Sequence, residues 1–196
     1  MKKIIFIISL IIGLITSNTS FGQVSVKSLR FSITGNNLAY IPKYNHPGFA
    51  FGVNFMEKQP KHFKKTFGME FSYYRIVPME QSMMLDITYS LGYVFNFGLE
   101  FKLLADLGYK FSAFTGDVYK FSDNHYVKTN ILKGKSQVNL KLGFGLEYPL
   151  NQKIAIFLHA KVNGYFPPLI NSTSLIMNQE LGLGVKFNFN KNKQNK

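Results

Sequence analysis

The chain contains no cysteine and no tryptophan, and only 10 of its 196 residues are acidic. Without cysteine there is no lipoprotein attachment site, no disulfide framework and no thiolate metal site. An exported chain of this size must then be held together by packing or by a membrane. Beyond residue 22 no stretch approaches the roughly 20 apolar residues of a transmembrane helix, so strands must make any crossing of a bilayer. No 3.6-residue period sustains itself either, and little helix is expected. The shortage of acids against 23 Lys and Arg leaves a net charge of +13. Such a surplus points to anionic partners, which for an exported protein are phosphate-bearing lipids before nucleic acid.

Residues 1–22 read as a secretory signal peptide. Lys2 and Lys3 supply the charged start, and residues 4–15 form an apolar run too short to span a bilayer. Ser20-Phe21-Gly22 before Gln23 places small residues at the two positions that a signal peptidase inspects. Residues 23–189 then form one domain, and residues 190–196 a polar tail.

What is present is alternation. From Val138 every second residue is apolar (Leu140, Leu142, Phe144, Leu146, Tyr148), against Asn139, Lys141, Gly143, Gly145 and Glu147. After the turn Pro149-Leu150-Asn151-Gln152 the pattern restarts as Ile154, Ile156, Leu158, Ala160 and Val162. Two strands with one greasy face each make a hairpin. Similar alternations start near Leu29, Phe49, Phe67, Met83, Leu99 and Leu181. The reading is eight strands, an all-β chain closing into an antiparallel up-and-down transmembrane barrel. Connections tend to alternate between short and long, the longest being residues 114–134, and 76–81 is a brief exception.

One face of these strands gathers Phe, Tyr, Leu, Ile and Val, and the other gathers charge. On the charged face fall Glu70, Asp86, Glu100, Asp106, Glu147 and Glu180, and opposite them Arg30, Lys102, Lys110, Lys141, Lys161 and Lys186. In a soluble barrel the apolar face would point inward. In an eight-stranded membrane barrel the faces swap, and the lumen is just wide enough to be filled by side chains. Periodicity alone leaves both arrangements open. Strand length favours the membrane, since several alternations run ten or more residues and globular strands usually have about 5 or 6. An aromatic content of 16% suits lipid contact.

With Ser20-Phe21-Gly22-Gln23 at the end of the leader, and with Leu142-Gly143-Phe144-Gly145-Leu146-Glu147-Tyr148 and Leu181-Gly182-Leu183-Gly184-Val185-Lys186-Phe187 in its strands, the chain resembles small bacterial outer-membrane β-barrels. The group is the eight-stranded OmpA-like, OmpX-like and PorT-like families. The resemblance covers essentially the whole mature chain and implies a fold more than an activity. It also implies a terminal aromatic read by the barrel-assembly machinery, a role open to Phe189 or Phe187, although seven further residues follow Phe189.

Candidate chemistry is thin. His159-Ala160-Lys161-Val162-Asn163 is faintly similar to the His-x-Ser-Asn segment of outer-membrane lipid A deacylases, but Lys161 stands where the serine nucleophile belongs. A lumen hydrogen bond is the expected role of His159. His46, His62, His125 and His159 lack metal-ligand spacing, so neither metal nor cofactor is expected. Lys58, Lys61, Lys64 and Lys65 read as one solvated turn, with anionic headgroups as the alternative contact. Lys120, Lys128, Lys133 and Lys135 surround the long connection and could meet lipid headgroups or lipopolysaccharide phosphates. The expectation is a non-enzymatic outer-membrane barrel with a filled lumen, its external loops serving adhesion, envelope stability or binding of an envelope protein. Expected partners are outer-membrane lipid, lipopolysaccharide and the assembly machinery, without nucleic acid. The rival readings are a lipid-modifying barrel enzyme, a small pore, and a soluble periplasmic barrel holding an apolar ligand.

Overall fold

The computed structural model describes residues 25–38, 46–76, 80–114, 118–122, 125–129, 135–166 and 177–189. The expected leader (1–22), the polar tail (190–196) and Lys133 lie outside the described residues.

Alternation of Phe, Tyr and aliphatic residues with small or polar ones builds long strands. They are β1 (Ser28–Leu38), β2 (His46–Lys58), β3 (Phe63–Ile76), β4 (Glu80–Val94), β5 (Glu100–Phe114), β6 (Val118–Ser122), β7 (His125–Thr129), β8 (Lys135–Pro149), β9 (Ile154–Phe166) and β10 (Met177–Asn188). Eight of them close into a barrel in the order β1-β10-β9-β8-β5-β4-β3-β2, while β6 and β7 pair only with each other. Every pairing is antiparallel, and closure is made by β1 on β10, with Phe31 opposite Val185 and Ile33 opposite Leu183.

The two faces settle what periodicity left open. Phe144 and Leu183 are 57% and 64% exposed, whereas Lys141 and Lys186 are 0% exposed. Charge is therefore inside and the apolar wall outside, which suits hydrocarbon and not water. The strands β3, β4, β5 and β8 run 14 or 15 residues, enough for the roughly 9–11 residues of a tilted membrane crossing plus an overhang.

Three short turns, residues 59–62, 95–99 and 150–153, share one end of the barrel with the start of β1 and the end of β10. In the last of them Asn151 Oδ1 accepts from the backbone N–H of Lys153 and of Ile154, both at 2.8 Å, while Ile154 O accepts from the backbone N–H of Leu150 and of Asn151. At the other end lie the ends of β1, β3, β5 and β9 and the starts of β2, β4, β8 and β10.

Four sequence readings are corrected. Residues 114–134 are not wholly a loop: Val118-Tyr119-Lys120-Phe121 and His125-Tyr126-Val127 are rich in aromatic and β-branched residues, and they form the two-stranded β6–β7 ribbon. The turn after β2 is shorter than the run from Glu57 to Lys65, because β2 extends to Lys58 and β3 begins at Phe63. β4 begins at Glu80, ahead of Met83. β1 runs past Gly35 to Leu38, with Asn36 and Asn37 still paired to Glu180 and Gln179.

Candidate functional site

The lumen is the one place where chemistry-bearing side chains converge among the described residues. Its charges fall into three layers. At the short-turn end Glu57, Glu100 and Glu147 interleave with Lys64, Lys102 and Lys186. Lys64 Nζ lies 3.0 Å from Glu100 and 3.4 Å from Glu147; Lys186 Nζ lies 2.9 Å from Glu57 and 3.2 Å from Glu147. Lys102 pairs with Glu147 and, at 3.6 Å, with Glu100. With Lys64 Nζ also 3.8 Å from Glu57, each acid touches two or more cations, a closed alternating ring that neutralises itself.

In the middle layer Lys161 Nζ bridges Glu70 at 2.7 Å and Asp106 at 2.9 Å. Lys141 Nζ bridges Asp86 at 2.8 Å and Glu180 at 3.6 Å, and donates to Ser72 Oγ at 3.2 Å. Arg30 lies 3.5 Å from Glu70, and His159 Nε2 lies 3.0 Å from Glu180 Oε1. The bulk of these side chains is matched by glycine across the strand. His159 is opposite Gly182 on β10 and Gly145 on β8. A Cβ at Gly182 would run into the His159 imidazole, and one at Gly184 would lie 2.5 Å from Phe157 Cζ. Glycine here is a space requirement.

The third layer lies toward the long connections. Lys110 Nζ donates to Glu80 at 3.0 Å and sits 3.6 Å from the centre of the Tyr165 ring, a cation–π contact strengthened by exclusion of water. Tyr74 donates to Glu80 at 2.7 Å, and Asn178 Nδ2 donates to Tyr165 Oη at 2.9 Å and to Tyr74 Oη at 3.1 Å. Tyr74, Ile76, Met84 and Tyr165 form a small buried apolar cluster in the same region.

Between the first two layers is a cavity of about 20 Å³ bordered by Arg30, Lys102, Leu104, Glu147, His159 and Lys161. It has room for about one water, far less than a ligand pocket of roughly 300–1,000 Å³.

Arg30, Glu70, Asp86, Glu100, Lys102, Asp106, Lys110, Lys141, Glu147, His159, Lys161, Glu180 and Lys186, all assigned to the lumen by alternation, line it in the structure. Sequence reasoning missed Glu57, Lys64 and Glu80. A β-bulge between Asn54 and Met56 shifts the register, so Glu57, which simple alternation sends outward, turns in to meet Lys186. Lys64 leaves the solvated lysine turn for the same ring, a correction that follows from β3 starting one residue before it. Glu80 was hidden because Pro78 made residues 76–81 read as a connection. Lys120, Lys128 and Lys135 fall in β6, β7 and β8, with their side chains outside the described residues.

Eight antiparallel strands in a closed ring, an outer wall of apolar side chains and a lumen packed with ion pairs define a membrane-spanning barrel of the outer-membrane type. The chain belongs to the outer membrane protein beta-barrel domain family, which it matches over residues 12–189, and that family places it in the outer membrane. Among solved structures it is similar to Neisserial surface protein A, with 13% identity over 83% of this chain and 95% of that one, at a TM-score of 0.50. It is also similar to Ail, the attachment invasion locus protein of Yersinia pestis, with 12% identity over 84% of this chain and 97% of that one, at a TM-score of 0.50. At such identities the likeness is one of fold. No curated protein matches the chain by sequence.

Proposed function

We propose that the protein is a non-catalytic outer-membrane scaffold with a closed lumen, and that its external connections, chiefly residues 114–134, carry recognition. The observation behind this reading is the interlocking of the three charge layers, in which each lumen acid is engaged by a cation on another strand. Such a network holds the barrel rigid and leaves no conduit, while β5 and β8, which flank the β6–β7 ribbon in the chain, pair directly with each other. Loops on a rigid scaffold are where binding concentrates. The attachment and invasion named for Ail supports adhesion as the task to test first. The same reading has the chain exported by a leader cleaved after Gly22, delivered to the assembly machinery through β10, with its Phe187 and the following Phe189, and in contact with lipopolysaccharide through Lys120, Lys128, Lys133 and Lys135.

Nothing at His159 favours lipid modification: its ring faces Glu180, and Lys161 in the nucleophile's place is held between Glu70 and Asp106. The test compares cells displaying the full protein with cells displaying a form in which residues 115–134 are replaced by a short Gly-Ser turn. Binding to extracellular matrix and to host cells should be lost with the ribbon, and reconstituted protein should pass no current in planar bilayers. Retained binding by the shortened form, or steady conductance, would overturn the proposal.

A further inference from the structure

Every carboxylate side chain among the described residues faces the lumen, so the outer surface of the described barrel carries cations without acids to match. At the short-turn end, which in outer-membrane barrels is periplasmic, these cations are Lys27, Lys58, Lys61, Lys65 and Lys153. Three of them are brought together by the β2–β3 hairpin. Lys58 and Lys65 are direct cross-strand partners, and both point outward because the bulge at Asn54/Met56 has reversed the parity of β2. Like charges directly opposite repel, and no carboxylate among the described residues reaches either.

Lys61 stands in the connecting turn with φ of 53°, a conformation that a glycine or asparagine adopts more readily. The turn is nevertheless tied down: Phe63 N donates to Pro60 O at 3.1 Å, and Val94 N donates to His62 O at 2.7 Å. Around the lysines the wall is apolar, with Met56 and Phe67 two pairs along the hairpin, the next pair on the same face. Phe63, Tyr93, Phe95 and Phe97 form a ladder of ring contacts with centroids 5.1–5.5 Å apart. An aromatic belt marks the depth of the headgroups.

A repelling lysine pair, a third lysine held in a conformation unfavourable to it, and an aromatic belt beside them are mutually consistent if an anion sits between the three ammonium groups. We propose that Lys58, Lys61 and Lys65 form a site for the phosphate of an anionic phospholipid headgroup in the periplasmic leaflet. The lysine stems lie along the apolar wall and carry their charges to headgroup depth, and the lipid supplies the negative charge that the barrel has sequestered inside. This site is at the opposite end from the recognition loops and stands whether or not they bind anything.

The test uses the full protein refolded into micelles and offered equal amounts of phosphatidylglycerol and phosphatidylcholine, with lipid retention read by native mass spectrometry. The wild type should retain phosphatidylglycerol preferentially, and the preference should fall roughly fivefold for each lysine replaced by glutamine, with Lys58→Gln/Lys65→Gln the decisive variant. Arg75→Gln, an equal charge change on β3 toward the long connections, should leave it intact. Lys58→Glu guards against misfolding as an explanation, because it turns the repelling pair into an attractive one. It should raise the melting temperature in phosphatidylcholine while abolishing the phosphatidylglycerol preference. The proposal is overturned by equal retention of both lipids in the wild type, by a similar loss in Arg75→Gln, or by a Lys58→Glu variant that keeps the preference. It is overturned equally if inorganic phosphate at millimolar concentration displaces the lipid, since the site would then be one for free phosphate.

Discussion

A lysine sealed from water is tolerable only while its acids are in place, and Lys141 is the clearest instance. It is fully buried and reaches from β8 to Ser72, Asp86 and Glu180 on three other strands. Lys141→Met leaves buried Asp86 without a cation and Glu180 with His159 alone, and should lower the unfolding free energy by about 3–5 kcal/mol, measured by urea titration in phospholipid vesicles. Adding Asp86→Asn should return part of that loss, with a coupling of about 0.5–3 kcal/mol in the double-mutant cycle. Gly182→Ala tests space instead of charge. The new methyl group meets the His159 ring and should destabilise by about 1–3 kcal/mol, whereas in a His159→Ala background the same change should be close to neutral.

At the scale of elements, β6 and β7 pair as a two-stranded sheet separate from the barrel, and β5 passes the barrel's register directly to β8. Replacing residues 115–134 with a short turn should therefore leave the barrel's stability within about 0.5 kcal/mol of the original, read as the temperature at which the folded band disappears on unboiled gels. This is also the scale at which the limits of sequence reading lie. Strands β3, β4, β5, β8, β9 and β10 were legible because a period of two survives wherever one wall meets lipid and the other a charged lumen. Glu57 was not, because a bulge is a register decision taken jointly by two strands, and nothing in the residues 54–56 alone announces it; Lys64 was not, because it sits among the lysines of a turn until β3 is seen to begin at Phe63. Glu80 was lost to the presence of Pro78, and the ribbon to Asp, Asn, Ser and Lys, which carry the look of a loop even when aromatic residues alternate among them. The lumen cluster itself was readable as a set of residues. Which acid would meet which base was not, since pairs such as Lys141–Asp86, Lys161–Glu70 and Lys186–Glu57 join strands that are not neighbours and depend on the register summed around the closed ring.

Taken whole, the molecule is a cylinder whose outside is fit for lipid and whose inside is fit for neither lipid nor bulk water. It should fractionate with the outer membrane and migrate faster on gels before boiling than after, because sodium dodecyl sulfate alone does not open a closed ring of strands; a soluble periplasmic product with heat-independent mobility would contradict the fold's orientation. The partners in the lumen are far apart along the chain: Lys161 and Glu70 are separated by 91 residues, and Lys64 and Glu147 by 83. A half-finished chain cannot neutralise these charges, so a bilayer that accepted the early hairpins one by one would be asked to hold bare lysines and glutamates in hydrocarbon. The ledger closes only when β10 meets β1. The ion pairs thus tie neutralisation to closure: the cations brought by β8, β9 and β10 find Asp86, Glu70 and Glu57 on strands that come far earlier in the chain, so the last strands complete the charge balance of the first.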